Sequence, residues 1–257
     1  MVLDFLFMEH QIIGLGDSSR ECLFLYILNC EEKMASLSFP ELREQLVRAA
    51  HRLFEADVMS HSGHGNMSVR LPEEGHMLLT ATGHITHLTP DQLVVVTFDG
   101  EVIEGSIDPT SREIIGMHSC VYRERKDVGS VIHTHSPRTT SFALAHQPLP
   151  CVYEAFLRFG ITEDVPVADW APRGSQEAVS YIVKQLQLHP TVPAVLLANH
   201  GLLAFSGDPL STAQLIIIME EAAQLTLDAR TIGGEKPFPA DALERERRHM
   251  QQFGSSR

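Results

Sequence analysis

Two histidines in one short segment are the residues best placed to do chemistry in this sequence. The segment, residues 128–137, reads as a strand because it holds adjacent β-branched residues between a glycine and a proline. Side chains alternate along a strand, so His133 and His135 point to the same face, roughly 7 Å apart at the backbone. Two imidazoles at this spacing can converge on one metal ion, or they can simply occupy a polar sheet face.

A third histidine, His200, changes the balance between these two readings. It lies in the turn Asn199-His200-Gly201, directly after the unbroken apolar run 194–198, which is predicted to be a buried strand. Alone, it would be an ordinary turn histidine. Three imidazoles with an open position for water or substrate are the usual composition of a catalytic metal site. The sequence therefore predicts His133, His135 and His200 as metal ligands.

Length, charge and cysteine content restrict the remaining possibilities. The chain has 257 residues, 44% of them hydrophobic, and a net charge of −13. This charge argues against nucleic acid or an anionic membrane as a general partner. The four cysteines show no CxxC pairing, no apolar run approaches the roughly 18 residues of a membrane span, and the N-terminus has no basic leader. We therefore expect a cytoplasmic protein with reduced thiols.

The elements follow one another as expected for a single sheet flanked by helices. Residues 1–33 lack helical phase, so we expect either that Met34 is the natural start or that 1–33 is a loosely attached or disordered extension; residues 34–257 are predicted to be one domain. Several strands joined by short turns favour a mostly antiparallel sheet. The predicted strands include 77–83, 93–98, 101–103, 148–152, 165–168, 194–198 and 202–205, and the predicted helices include 39–58, 113–125, 137–145 and 212–231.

Several motifs together resemble those of the class II aldolase/adducin family. They are His133-Thr134-His135, Ala198-Asn199-His200-Gly201, Gly65-Asn66-Met67-Ser68, Thr80-Ala81-Thr82-Gly83 and the stretch 118–135. Their order and approximate spacing agree from about Leu42 to Leu225. The family includes fuculose-1-phosphate aldolase, rhamnulose-1-phosphate aldolase and ribulose-5-phosphate 4-epimerase. The resemblance implies a three-layer αβα fold with a mainly antiparallel central sheet, assembled as a homotetramer with active sites at subunit interfaces.

The resemblance also implies a cofactor and an anionic small-molecule substrate. The metal would be Zn²⁺, with Mn²⁺ or Co²⁺ as alternatives, and it would stabilise the enediolate left when a carbon–carbon bond of a small phosphorylated keto sugar breaks. Neutral imidazole ligands leave the charge of the ion undiminished. Small donors in tight turns would hold the phosphate, namely Asn66, Thr82, Gly83, Thr110 and Ser111.

The acid–base residue departs from the family pattern. Aldolases of the family place a glutamate four residues before the helix histidine, whereas Glu113 lies five residues before His118. Glu113 is the carboxylate within reach and is predicted to be the proton shuttle, as a fourth ligand or beside the metal. The alternative is a solvated glutamate in the first turn of a helix.

This altered spacing keeps other activities open. One is decarboxylation of an aromatic, dihydroxyphthalate-like acid on the same three histidines, with Arg158 or Arg173 binding the carboxylate. The aromatic segment 153–160 would line a flatter pocket, or it would be ordinary core. Less favoured are a sugar-phosphate 4-epimerase and a non-catalytic adducin-like module, because a scaffold has no need of the three histidines.

The remaining polar candidates receive plainer interpretations. Four loop histidines near the anion-site turns are predicted to be solvated, with contact between one of them and the substrate as the alternative: His61, His64, His84 and His87. Glu220 and Glu221 on the long helix are predicted to be surface or interface charges, and Trp170 to be structural.

Overall fold

The computed structural model describes residues 39–72, 75–242, 244–246 and 248. The predicted extension over 1–33 and the proposed start at Met34 lie outside this part of the chain. The described residues form one eight-stranded sheet with helices packed on it. Within them, no helix is long and apolar enough to cross a membrane.

The strands are short, as the turn-rich sequence predicts. They are β1 (Gly65–Arg70), β2 (His76–Thr80), β3 (Leu93–Thr97), β4 (Val102–Glu104), β5 (Ser130–Thr134), β6 (Val167–Ala168), β7 (Ala194–Leu197) and β8 (Gly201–Ser206).

The α-helices are mostly those that the apolar periodicity predicts. They are α1 (Phe39–Glu55), α2 (Ile114–Glu124), α3 (Pro137–Ala145), α4 (Glu154–Arg158), α5 (Gln176–Leu188) and α6 (Pro209–Thr231). Two 3₁₀ turns, Pro90–Gln92 and Pro109–Ser111, precede β3 and α2.

The strand order is β4-β3-β2-β1-β5-β8-β7-β6. Helices around a single central sheet were predicted and are confirmed, but the sheet is mixed, because β6 and β7 are parallel while the other neighbours are antiparallel. The physical reason is the connection: α5 lies between β6 and β7, and a crossover helix returns the chain in the same direction. The other pairs are not joined in this way.

Two apolar cores lie on the two faces of the sheet. Helices α1, α3 and α6 cover one face, where they enclose residues such as Met67 and Ile132. Helices α2 and α5 cover the other face, against Val131 and Leu203. Because side chains alternate along β5, the face that receives Val131 also receives His133. The histidine strand therefore presents its ligand side to the α2–α5 layer.

One predicted strand is almost lost. Residues 148–152 contribute a single bridge, between Leu149 and Val165. Leu149 lies between Pro148 and Pro150, neither of which has an N–H to donate, so a continuous ladder cannot form here.

Candidate metal centre

Three imidazoles meet where strand β5 ends and the neighbouring strand β8 begins. In the antiparallel β5–β8 pair, Thr134 lies opposite Leu202, so the end of β5 faces the start of β8. His133 and His135 come from the end of β5, and His200 comes immediately before β8. Their ring centroids lie 4.6 to 5.1 Å apart, and one nitrogen from each lies within 4.8 Å of the others. The structure therefore brings together all three predicted ligands.

The arrangement of the nitrogens fits a divalent metal ion. His133 Nε2 lies 3.1 Å from His135 Nε2, close to the roughly 3.3 Å expected of two nitrogens bound to one tetrahedral zinc at about 2.05 Å. His133 Nδ1–H donates to the carbonyl of Leu202 at 2.9 Å. This bond orients the ring and leaves the Nε2 lone pair free for a ligand bond, as is usual for metal-binding histidines.

Electrostatics keep the three rings in the neutral form that binds metals. Burial, followed by the neighbouring His200 and His135, holds the pKa of His133 well below its ordinary value. Burial, followed by His135 and Arg173, lowers the pKa of His200 to about 4. Burial, followed by His64 and Arg173, also lowers the pKa of His135. At neutral pH the cluster therefore offers lone pairs and no positive charge.

The turn that carries His200 depends on the residues on either side of it. Asn199 has φ = 57°, in the left-handed region that asparagine tolerates better than most residues. At Gly201, a Cβ atom would lie 2.5 Å from the carbonyl oxygen of Thr134 and 3.0 Å from the His135 ring. Only glycine allows the β8 backbone to approach β5 this closely, so the sequence Asn-His-Gly has a steric basis.

A cavity of about 480 Å³ opens beside the three imidazoles. It lies between the sheet and the α2–α5 layer. Several of the residues predicted from the sequence line it together, and these are Asn66, Gly83, Glu113, His133, His135, Arg173 and His200.

Glu113 lines this cavity as the residue immediately before α2. Its Oε1 lies 2.8 Å from Arg173 Nε, on the loop before α5. Gly174 permits the contact, because a Cβ there would lie 2.5 Å from the Cβ of Glu113. The predicted carboxylate is therefore exposed, lines the site and is paired with a cation. Its role in proton transfer remains a prediction.

Of the five predicted anion donors, two line the cavity and three do not. Asn66 lies directly across from His133 in the β1–β5 pair, and both side chains face the cavity. Gly83 lies at the rim, and its carbonyl accepts from the Gly65 N–H at 3.0 Å. Both residues are therefore close to the imidazoles.

The other three predicted donors do not line the cavity. The Thr82 hydroxyl donates to the His84 carbonyl, the Thr110 hydroxyl donates to Asp108 at 2.6 Å, and Ser111 is buried. Their binding role stays a prediction.

The aromatic segment 153–160 and Trp170 differ in their position relative to the cavity. Phe156 and Leu157 are buried core residues, and Arg158 pairs with Glu154 at 2.8 Å, so the aromatic segment does not line the cavity. Trp170, expected to be structural, is 60% exposed and lies at the cavity edge.

Two further polar residues, His64 and Glu220, can be compared with their predictions. His64, expected to be solvated, is exposed but also lines the cavity and packs against His84, with ring centroids 4.1 Å apart. The prediction for Glu220 was wrong, because the residue is only 5% exposed and its carboxylate accepts from the N–H groups of Arg138 and Thr139.

Sequence reasoning missed a buried polar group behind Asn66. It consists of Ser68, His118 and Tyr122, linked by hydrogen bonds. A signal was available, since Ser68 follows Asn66 by two positions and faces the same way, and His118 and Tyr122 are four apart on α2.

Residues 44–227 match the family model described as Class II Aldolase and Adducin N-terminal domain. The match covers most of the chain and both strands that carry the three histidines. The chain belongs to the class II aldolase and adducin family.

Individual relatives include two kinds of lyase. The chain is 29% identical over 213 residues to the 5-deoxy-D-ribulose 1-phosphate aldolase of Bacillus thuringiensis serovar kurstaki, covering 82% of this chain and 96% of that protein. It is also 29% identical over 204 residues to the 3-oxo-tetronate 4-phosphate decarboxylase of Escherichia coli O6:H1, covering 77% and 89%. A solved L-fuculose 1-phosphate aldolase superposes with a TM-score of 0.73 at 27% identity, covering 84% of this chain and 98% of that one.

Proposed function

We propose that this protein is a metal-dependent aldolase that cleaves a small phosphorylated ketose. The observation that carries the proposal is the convergence of three neutral imidazoles in a cavity that also contains Glu113 and Asn66. Family membership and the names of the aldolase relatives support the reaction class. The same three imidazoles argue against a purely structural module and leave a 4-epimerase as a less favoured activity.

In this proposal, His133, His135 and His200 hold the divalent ion, with zinc preferred over manganese or cobalt. A divalent cation bound there would stabilise the negative charge that develops on the substrate oxygen beside the breaking carbon–carbon bond. The hydrogen bond from His133 Nδ1 to Leu202 fixes one ligand in the productive tautomer.

Glu113 is proposed to move the proton that the cleavage requires. A carboxylate can accept a proton from the substrate hydroxyl at the breaking bond and return it to the carbon that receives the electron pair. Arg173, 2.8 Å away, fixes the position of this carboxylate on the cavity wall.

Asn66 and Gly83 are proposed to contact the phosphate. Both line the cavity, and a neutral amide with backbone N–H groups can bind an anion without a cluster of basic residues. Thr82, Thr110 and Ser111 remain predicted donors. For them to contact the phosphate, their segments would have to rearrange or a neighbouring subunit would have to complete the site.

The reaction is tested by supplying 5-deoxyribulose 1-phosphate and fuculose 1-phosphate and measuring dihydroxyacetone phosphate with a coupled reductase. Cleavage of one of these ketoses that stops on chelation and returns with zinc would support the proposal. His133→Ala should remove both the metal and the turnover. A protein that contains metal but cleaves neither ketose nor related ketose phosphates would contradict it.

A second candidate, decarboxylation, is favoured by one observation. The guanidinium of Arg173 lies at the cavity wall, where it pairs with Glu113. It can also bind a carboxylate of the substrate. Loss of CO₂ leaves the same kind of electron pair as aldol cleavage. Release of CO₂ from 3-oxo-tetronate 4-phosphate, without production of dihydroxyacetone phosphate from the ketoses, would favour this activity over the aldolase.

We also propose a cytoplasmic homotetramer. Cys120 and Cys151 are free thiols, as expected in a reducing compartment, and the family resemblance supports the assembly. Light scattering coupled to size exclusion measures the subunit number, and a monomer that is fully active would contradict the proposed assembly.

A further inference from the structure

A chain of hydrogen bonds runs from Asn66 away from the cavity and into the protein. Asn66 Oδ1 lies 2.6 Å from His118 Nε2, and His118 Nδ1 lies 2.7 Å from the Ser68 hydroxyl. Ser68 in turn lies 2.8 Å from the Tyr122 hydroxyl. Ser68, His118 and Tyr122 are completely buried. None of these three residues has a role in the proposed reaction.

The direction of the chain follows from its two ends. Burial lowers the pKa of His118 to about 3, so its ring is neutral and carries one N–H and one lone pair. Among the described residues, the Ser68 hydroxyl is the hydrogen-bond partner of the completely buried Tyr122 hydroxyl, so the Tyr122 proton has no other acceptor there. The Tyr122 hydroxyl therefore donates to Ser68, and the Ser68 hydroxyl donates to His118 Nδ1. This leaves the Nε2–H of His118 to donate to Asn66 Oδ1.

The direction of the hydrogen-bond chain determines which group of the Asn66 amide, the oxygen or the NH₂, faces the cavity. Because its oxygen is already bonded to His118, its NH₂ group is the end available to a ligand. The reversed amide would present oxygen lone pairs, which repel an anion. Reversal would also place the Asn66 NH₂ against the Nε2–H of His118, and two buried donors that face each other leave both without an acceptor.

We propose that His118 is a positioning residue that holds the Asn66 amide with its NH₂ toward the cavity and so gives the site its preference for an anionic phosphate. The inference rests on the proposed function for the identity of the substrate, but not for the binding itself. Inorganic phosphate is a sufficient probe. His118 acts here through Asn66, and its packing between α2 and β1 is a separate contribution.

The experiment is a double-mutant cycle on the metal-loaded protein, read as the Kd for inorganic phosphate by calorimetry. Asn66→Ala and His118→Leu are each expected to weaken binding roughly tenfold, and the double variant no further, because both remove one interaction. Phosphate that binds the metal contributes equally to every corner of the cycle. His118→Gln retains an N–H at the position of Nε2 and should recover most of the affinity.

Metal content and the unfolding midpoint are measured for each variant. If His118→Leu does not fold, Tyr122→Phe is used in its place. Removing the terminal donor of the chain should also weaken phosphate binding, by a smaller factor. Wild-type affinity in a folded His118→Leu protein, full additivity with Asn66→Ala, or no recovery with His118→Gln would overturn the inference.

The outcome is separable from that of the proposed function. A non-additive phosphate cycle in a protein that cleaves no ketose would support the inference and contradict the aldolase. Ketose cleavage in a protein whose phosphate affinity does not change when His118 is replaced would support the aldolase and contradict the inference.

Discussion

The carboxylate of Glu113 and the guanidinium of Arg173 lie 2.8 Å apart at the wall of the cavity that the three histidines share. The two residues come from different elements, the start of α2 and the loop before α5. Glu113 is exposed, as a solvated glutamate at the start of a helix would be, but its carboxylate has a cationic partner and lines the cavity. Because it lines the same cavity as the three imidazoles, it is the leading candidate for proton transfer in the proposed reaction.

Glu113→Gln should lower turnover by about 10²-fold or more, because an amide cannot accept or return the proton. Metal content should not change, since the three imidazoles remain. Steady-state kinetics and metal analysis measure the two effects. Glu154→Gln is the matched control, because Glu154 pairs with Arg158 at the same 2.8 Å but on the surface of α4. Equal turnover in the Glu113 and Glu154 variants would assign the proton to another group.

Gly201→Ala should weaken metal binding. The added methyl group would meet the Thr134 carbonyl at 2.5 Å and the His135 ring at 3.0 Å, so the strands that carry the histidines must move apart. Titration with zinc in a competing chelator measures the change. Gly116→Ala is the control, because its methyl group would meet only a valine side chain, at 3.3 Å, within α2. A Gly201→Ala protein with unchanged zinc affinity would show that the close approach is unimportant.

The stability of the metal-free protein should fall as the pH decreases from about 6.5. Burial holds the pKa of His118 near 3, so the unfolded chain binds more protons than the folded protein between pH 6.5 and pH 3. Each pH unit in this window costs up to about 1.4 kcal/mol for this residue. The lowered pKa of His200 acts in the same direction.

Urea unfolding between pH 7.5 and 5 measures this loss before most carboxylates titrate. His118→Gln, which cannot take up a proton, should have a shallower slope. A flat profile for the wild type would indicate that these rings are more accessible to solvent than the structure has them.

Glu220→Gln should destabilise the protein by about 1–3 kcal/mol, because a buried carboxylate that accepts from two backbone N–H groups and a hydroxyl is replaced by an amide. The affected N–H groups are in the first turn of α3, which begins two residues after His135, so zinc affinity should fall as well. Glu221→Gln provides the control, since Glu221 is exposed and lies next to it on α6. Equal unfolding free energies for the two variants would contradict this role for Glu220.

The convergence of His133, His135 and His200 could be predicted because much of the information for it is local. A strand places His133 and His135 on one face, and the Asn-His-Gly turn directly follows a recognisable buried strand. The long amphipathic helices and the β7–β8 hairpin were predictable for the same reason, since periodicity and turn residues lie within one segment.

Contacts between distant segments were not predictable in this way. Nothing near Glu113 indicates Arg173, and nothing near Glu220 indicates the N–H groups of Arg138 and Thr139, some eighty positions away. The hydrogen bond between Asn66 and His118 likewise depends on the packing of α2 against β1. The parallel pairing of β6 was missed because a two-residue strand carries too little pattern to specify its direction.

The central claim is that three imidazoles hold one divalent ion on which carbon–carbon cleavage depends. Metal content by mass spectrometry, measured on the same samples as ketose phosphate cleavage, tests it most directly. We expect about one ion per chain in the wild type, and loss of both ion and activity in His200→Ala. Full activity in a metal-free sample, or a His200→Ala protein that keeps both its ion and its activity, would contradict the claim.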